Sequence, residues 1–175
     1  MTITKNAMNF GAILGLSLCA LSGVFLALGM SQSGVQQWIM YALIICFIYI
    51  GTKSFRDKQS DGFISFGNAL SSGVLISFFS AVILAFFLFL YLTLVDASMI
   101  EKSMEIAEQK MITDGMPDDQ IEMGMKYARM FTTPLMISII TVMWNTFMGL
   151  IFALLTSAFL KKENTDFNQF IENNN

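Results

Sequence analysis

Few side chains in this sequence can do chemistry, and those that can lie far apart. There is no histidine, which removes imidazole metal ligands, bis-histidine haem ligation and the commonest general base together. Cys19 and Cys46 fall inside apolar stretches and form no CxxC pair. They read as small buried hydrophobes rather than a disulfide or redox couple. Met116, Met123, Met125 and Met130 carry the thioether sulfur that copper(I) favours. The cysteine and histidine that usually accompany such sites are missing, and methionine serves equally well as an adaptable hydrophobe. Eight acids between 96 and 132 raise the question of a divalent cation, but EF-hand spacing is absent and a solvated acidic face accounts for them. Serine and aspartate occur, yet no spacing brings a nucleophile to a base. The expectation is a non-catalytic chain with no cofactor and no metal site.

Asn145 differs from the rest because it lies deep in an apolar run. A polar residue inside a membrane is a functional candidate by default. Its structural reading, preferred here, is an interhelical hydrogen bond contributing ~0.6–2 kcal/mol. No Asp, Glu, Lys or Arg interrupts any of the long apolar runs, so a proton relay or buried ion-pair gate has no candidate residues.

The elements that hold these residues follow from the distribution of charge. Of 175 residues, 55% are hydrophobic and 13% charged, whereas a soluble domain carries about 25% charged residues. Every charge lies outside three runs, 6–52, 62–95 and 130–160, of 47, 34 and 31 residues. Each exceeds the roughly 18 residues that mark a membrane span. With a net charge of −3 and no basic patch, the composition excludes a soluble enzyme, a nucleic-acid binder and a disulfide-stapled secreted domain. The longest run suits two helices joined at Ser31-Gln32-Ser33-Gly34, with Gly34 free to adopt a left-handed conformation. The expected fold is all-α. Four transmembrane helices span about 8–30, 35–52, 66–95 and 134–160, with a helical hairpin over 96–132 outside the membrane and a polar tail over 161–175.

In lipid, helices associate where small residues let backbones approach. The first span has Gly11, Gly15, Cys19, Gly23 and Ala27, one small residue every four positions. The third has Ala69, Gly73, Ser77, Ala81 and Ala85, and the fourth Thr141, Asn145, Gly149, Ala153 and Ser157. Gly11, Gly15, Gly23, Gly73, Ser77 and Gly149 are therefore expected at helix contacts. The second span lacks such a ladder and is expected at the periphery. Phe78, Phe79, Phe86, Phe87 and Phe89 lie mostly off the ladder and are expected to face lipid.

The outer segment has its own pattern. Ser98-x-x-Glu101 has the form of a capping box, followed by Ile100, Met104, Ala107 and Met111 on one helical face. Asp114-Gly115-Met116-Pro117 breaks the helix. Asp118 and Asp119 open a second one whose Lys126 and Arg129 come late, as the helix dipole favours. Its apolar stripe is Ile121, Met125 and Ala128. The two apolar sides are expected to pack together or to rest on the membrane surface.

Lys5, the group Lys53, Arg56 and Lys58, and the pair Lys161-Lys162 flank the spans on one side, while 96–132 carries eight acids against four bases. The positive-inside rule then places both termini and the 53–65 loop in the cytoplasm. Leu16-Ser17-Leu18-Cys19 has the outline of a lipoprotein box, but Leu18 stands where a small residue is needed, and the first apolar helix is retained as a span.

The stretch Gly62-Phe63-Ile64-Ser65-Phe66-Gly67-Asn68-Ala69-Leu70, opening the third span after a short basic loop, resembles the shared motif of a bacterial family classed as a domain of unknown function. Asp96 resembles a second recurring position of that family, although Ala97 stands where proline is frequent. The resemblance covers nearly the whole chain. It implies a small four-span inner-membrane protein with an acidic segment between the third and fourth helices, and it carries over no catalytic or binding residues.

Two functions fit this reading. The first is a helical-bundle partner or assembly subunit that binds the lipid bilayer and another membrane protein or a second copy of itself. The alternative is a small-solute transporter or channel acting as an oligomer. The topology has a direct test. Reporter fusions after Lys58 and Lys162 are expected to report cytoplasm and one at Gly115 the outer side; a cytoplasmic signal at Gly115 would overturn the charge argument.

Overall fold

The computed structural model describes residues 2–29, 34–59 and 62–162. The order of elements is α1 (Ile3–Ala27), α2 (Gly34–Gln59), α3 (Phe66–Leu90), a π-helical turn (Tyr91–Val95), α4 (Ser98–Thr113), α5 (Asp118–Phe131) and α6 (Pro134–Leu160). Among the described residues the only extended pairing is a single antiparallel bridge, Ile64 to Lys162. Four of the helices are long and apolar enough to cross a membrane, so the chain is an all-α, multi-pass membrane protein.

The ends of these helices are set by local chemistry. Thr2 caps α1, its hydroxyl accepting from the Lys5 amide at 3.3 Å. Gly29, at φ +69°, ends it, a conformation that costs glycine little and other residues much. The left-handed residue is thus Gly29, whereas Gly34 is the first residue of α2; the turn residues 31–33 lie outside the described residues. The second helix is longer than its apolar run. It continues through Lys53, Arg56 and Lys58, because cations are favourable against the negative end of a helix. Most of the expected basic loop is therefore helix. Thr133 and Pro134 start α6 as cap and first-turn proline, with the Met136 amide donating to the Thr133 hydroxyl at 3.3 Å.

The structure forms two compact units. One holds the described residues up to Ile83 together with Trp144 onward; the other runs from Leu84 to Met143. In the first, small polar side chains are buried among apolar ones, while several large apolar side chains are exposed. Ser72, Ser77, Ser80 and Ser157 are buried, while Trp38 and Phe159 are 75% and 85% exposed. Lipid removes the penalty for leaving large apolar side chains on the outside, while Leu14, Leu18, Ile44, Ile48 and Ile76 still fill the interior.

The second unit contains the α4–α5 hairpin. Its turn is a Schellman closure: the Met116 amide donates to Met111 O at 3.1 Å, the Gly115 amide to Ile112 O at 3.0 Å, and Gly115 takes φ +72°. Gly124 lets the helices approach, since a Cβ there would lie 3.2 Å from Met111 Cε. Ile121 and Met125 are buried.

The start of α4 differs from the expected capping box. Ser98 is already helical, and the cap is the carboxylate of Asp96, which accepts from the Ser98 amide at 3.0 Å and its hydroxyl at 2.6 Å. The Ser98 hydroxyl, foremost, holds the Asp96 carboxyl below its ordinary range. A depressed folded-state value means that the cap contributes fully above the unfolded carboxylate value near ~3.9 and is lost as pH falls through the lowered one. Asp96→Ala is expected to lower the hydrogen-exchange protection factors of the first turn of α4 at neutral pH, and acidification below that range to lower them in the wild type, once the slower intrinsic exchange in acid is allowed for. Unchanged exchange in Asp96→Ala would show that the cap is dispensable.

Candidate functional site

Within the first unit, several of the closest contacts are made where α3 meets its neighbours. A Cβ on Gly11 would lie 2.8 Å from Phe79 Cβ and 2.9 Å from the Ile76 carbonyl oxygen. One turn on, a Cβ on Gly15 would lie 2.8 Å from Ile83 Cβ, so α1 and α3 run in the same direction. On another side of α3, a Cβ on Gly73 would lie 2.7 Å from Ala153 Cβ and 2.9 Å from Ile48 Cγ2, and one on Gly149 would overlap Ser77. Rising numbers on α3 meet falling numbers on α6, as antiparallel spans require. A Cβ on Gly23 meets nothing within 4 Å.

The second span is not peripheral. It packs through Ile44, Ile48 and Thr52, all buried, and through Gly51, where a Cβ would lie 2.6 Å from Ile76 Cδ1 and 3.0 Å from Phe10 Cγ. Asn6 donates from Nδ2 to the Gly51 carbonyl at 3.0 Å. Asn6 was hidden in the sequence because α1 begins at Ile3, five residues before the expected start, and so carries Asn6 into the bundle. Phe79 likewise lies against α1, whereas Phe78 and Phe86 are exposed.

Polar side chains line this interior. The hydroxyl of Ser77 donates to Gly73 O at 3.1 Å and that of Ser80 to Ser77 O at 2.9 Å. Thr52, Ser72 and Ser157, each 1% exposed or less, have hydroxyls without a partner among the described residues. Asn145 is half-buried on α6, one turn before Gly149, and is not without a partner.

The stretch Gly62–Leu70 works as a clamp at one end of this unit. Gly62, at φ +82°, donates its amide to Arg56 O at 3.1 Å and closes α2. Ile64 exchanges two backbone hydrogen bonds with Lys162, at 2.9 and 3.0 Å, and packs with Phe55 and Ala69 against Ile3. The Lys162 ammonium sits 5.6 Å from the centre of the Phe63 ring, and the Ser65 hydroxyl caps α3 by accepting from the Asn68 amide at 3.3 Å.

The second unit offers the concave surfaces. One groove between α4 and α5 is lined by Glu101, Met104, Glu105, Glu108 and Arg129, and a second by Glu108, Ile121, Glu122, Lys126 and Arg129. Among the described residues, no group of three or more Cys, Asp or Glu is placed to share a metal ion.

A family model described as "Protein of unknown function (DUF4199)" matches residues 9–162, in agreement with the resemblance carried by Gly62–Leu70 and Asp96. No curated protein and no solved structure matches the chain.

The glycine contacts separate tight from open positions. Gly11→Ala, Gly73→Ala and Gly149→Ala are each expected to cost about 1–3 kcal/mol, the usual range for overpacking. Gly23→Ala is expected to be neutral or to stabilise by up to ~1 kcal/mol through helix propensity, and Phe86→Leu to be nearly silent. Thermal unfolding in detergent measures all five; equal melting of Gly23→Ala and Gly149→Ala would refute the packing scheme.

Proposed function

The chain belongs to the DUF4199 family of proteins of unknown function, and from that premise we propose that it is a non-catalytic assembly subunit of the bacterial inner membrane. Both termini lie in the cytoplasm, and the α4–α5 hairpin faces outward to bind another membrane protein. The observation that carries this reading is the charged groove of the hairpin. Glu101, Glu105 and Glu108 recur along one wall of α4, and Arg129 of α5 lines the same groove. Among the described residues, no carboxylate of the hairpin lies within ion-pair distance of a lysine or arginine. Such a surface suits a basic segment of a partner, which charge complementarity would steer and register. The interior of the first unit, by contrast, is filled by contacts so close that Gly11, Gly15, Gly51, Gly73 and Gly149 have no room for a methyl group.

A transporter or channel remains the second reading, favoured by one observation: among the described residues the buried hydroxyls of Thr52, Ser72 and Ser157 have no partner and would suit a polar path in an oligomer. Purification in detergent with measured stoichiometry separates the two. A partner of fixed ratio, lost when Glu101, Glu105 and Glu108 are changed together to Lys, supports the subunit. Homo-oligomers that conduct a solute in liposomes support transport. Asn145→Leu adds a second axis. A loss of roughly 1–2 kcal/mol of stability fits a structural Asn145, whereas unchanged melting with failed complementation of a deletion strain moves transport ahead.

A further inference from the structure

Two apolar stripes run along α5, and only one of them is used by the hairpin. Ile121 and Met125 are buried and, with Ala128, face α4. Met123, Tyr127 and Met130 recur at intervals of four and three residues on the opposite side, joined by Phe131, and are 57–63% exposed. A helix in a two-helix hairpin needs one apolar face. The second face is left without a protein neighbour among the described residues.

We propose that this outward stripe beds into the outer headgroup–acyl boundary of the bilayer, making α5 an interfacial helix with α4 on its water side. The occupant follows from continuity. Only Thr132 and Thr133 separate Phe131 from the first residue of α6, a link that reaches roughly 10 Å at full extension. The polar layer on each side of a bilayer is itself about 5–8 Å thick. Beyond the link, the exposed apolar side chains resume at Leu135, Met136, Ile139 and Ile140 on α6, which is a membrane-spanning helix. The end of α5 therefore lies within reach of the interface whatever the hairpin does. The chemistry of α5 changes along its length in the matching sense. Its acids, Asp118, Asp119 and Glu122, occupy the half far from the tether, and Lys126 and Arg129 the half beside it, where lipid phosphates lie. A tyrosine among them suits the same layer, in which aromatic rings with one polar end concentrate. A second copy of the chain would not require this polarity. The proposal does not depend on the subunit reading.

The test uses the full chain made cysteine-free by Cys19→Ala and Cys46→Ala and reconstituted in phosphatidylcholine vesicles. A nitroxide is attached at Tyr127→Cys, at Met130→Cys, or at Gln109→Cys on exposed α4 as the aqueous reference. Collision with oxygen, which concentrates in acyl chains, is compared with collision with a water-soluble nickel chelate. The expected result is a several-fold excess of oxygen over nickel collisions at 127 and 130 relative to 109. Nickel collisions at 127 and 130 as frequent as at 109 would overturn the proposal. So would dipolar broadening between labels at 127, because it would show a second copy covering the stripe. Circular dichroism checks that each labelled variant keeps its helices, and the two stripe positions must agree.

Discussion

The structure of the first unit depends on how closely α3 can be approached. Between helices in lipid there is no hydrophobic gain, because the tails are as apolar as leucine; what remains is dispersion at short range and the occasional interhelical hydrogen bond. Both require backbones to come near one another. At Gly11, Gly73 and Gly149 a single added methyl group would lie under 3.0 Å from its neighbour. Because α3 uses one side against α1 and another against α6, with Ile48 and Ile76 filling the gap to α2 and Gly51, all four spans share one constraint. A change at any of these contacts displaces α3 and is felt at the others.

That constraint also explains why small polar residues join the apolar interior. Small residues are needed where helices touch, and serine is nearly as small as alanine, so serine enters the interior on size. The hydroxyls of Ser77 and Ser80 find carbonyls within their own helix, while those of Ser72 and Ser157 have no partner among the described residues. Longer polar side chains reach across instead: the amide of Asn6 bridges α1 to Gly51 of α2, at a position where glycine exposes its carbonyl. The clamp formed by Ile64, Lys162, Phe63 and Ser65 completes this end of the unit with backbone bonds, which a sliding helix pair would have to break.

Much of this was legible in the residues alone, for a physical reason. A span is a property of composition over some 20 residues, and charge is costly enough in lipid to mark its limits. The helical spans Phe66–Val95 and Pro134–Leu160 accordingly lie within the charge-free runs 62–95 and 130–160. The hairpin turn was legible too, because Asp114-Gly115-Met116-Pro117 combines a residue suited to positive φ with one that cannot continue a helix. Packing was less so. Small-residue ladders identify a face but not its partner, so Gly23 looked equivalent to Gly11, although one is open and the other closed. The role of α2 was missed because a single glycine, Gly51, does for it what a ladder does elsewhere. The cap on α4 was assigned to Ser98, when the carboxylate two residues earlier is the stronger acceptor.

The second stripe of α5 escaped for a different reason. A helix period asks for one apolar face, and Ile121, Met125 and Ala128 already satisfy it. Met123, Tyr127 and Met130 lie on the opposite side with the same spacing, so the helix has two apolar faces, with its charged residues along one flank between them. A free-standing helix of that kind would be poorly suited to water. It becomes stable when one face has a protein partner and the other a lipid one, an arrangement open only to a segment tethered at the membrane surface. The two-residue link to α6 supplies that tether. The same position suits the frequency of methionine here. A surface that must meet both a neighbouring helix and a fluctuating lipid boundary favours a flexible, polarisable side chain over a rigid branched one.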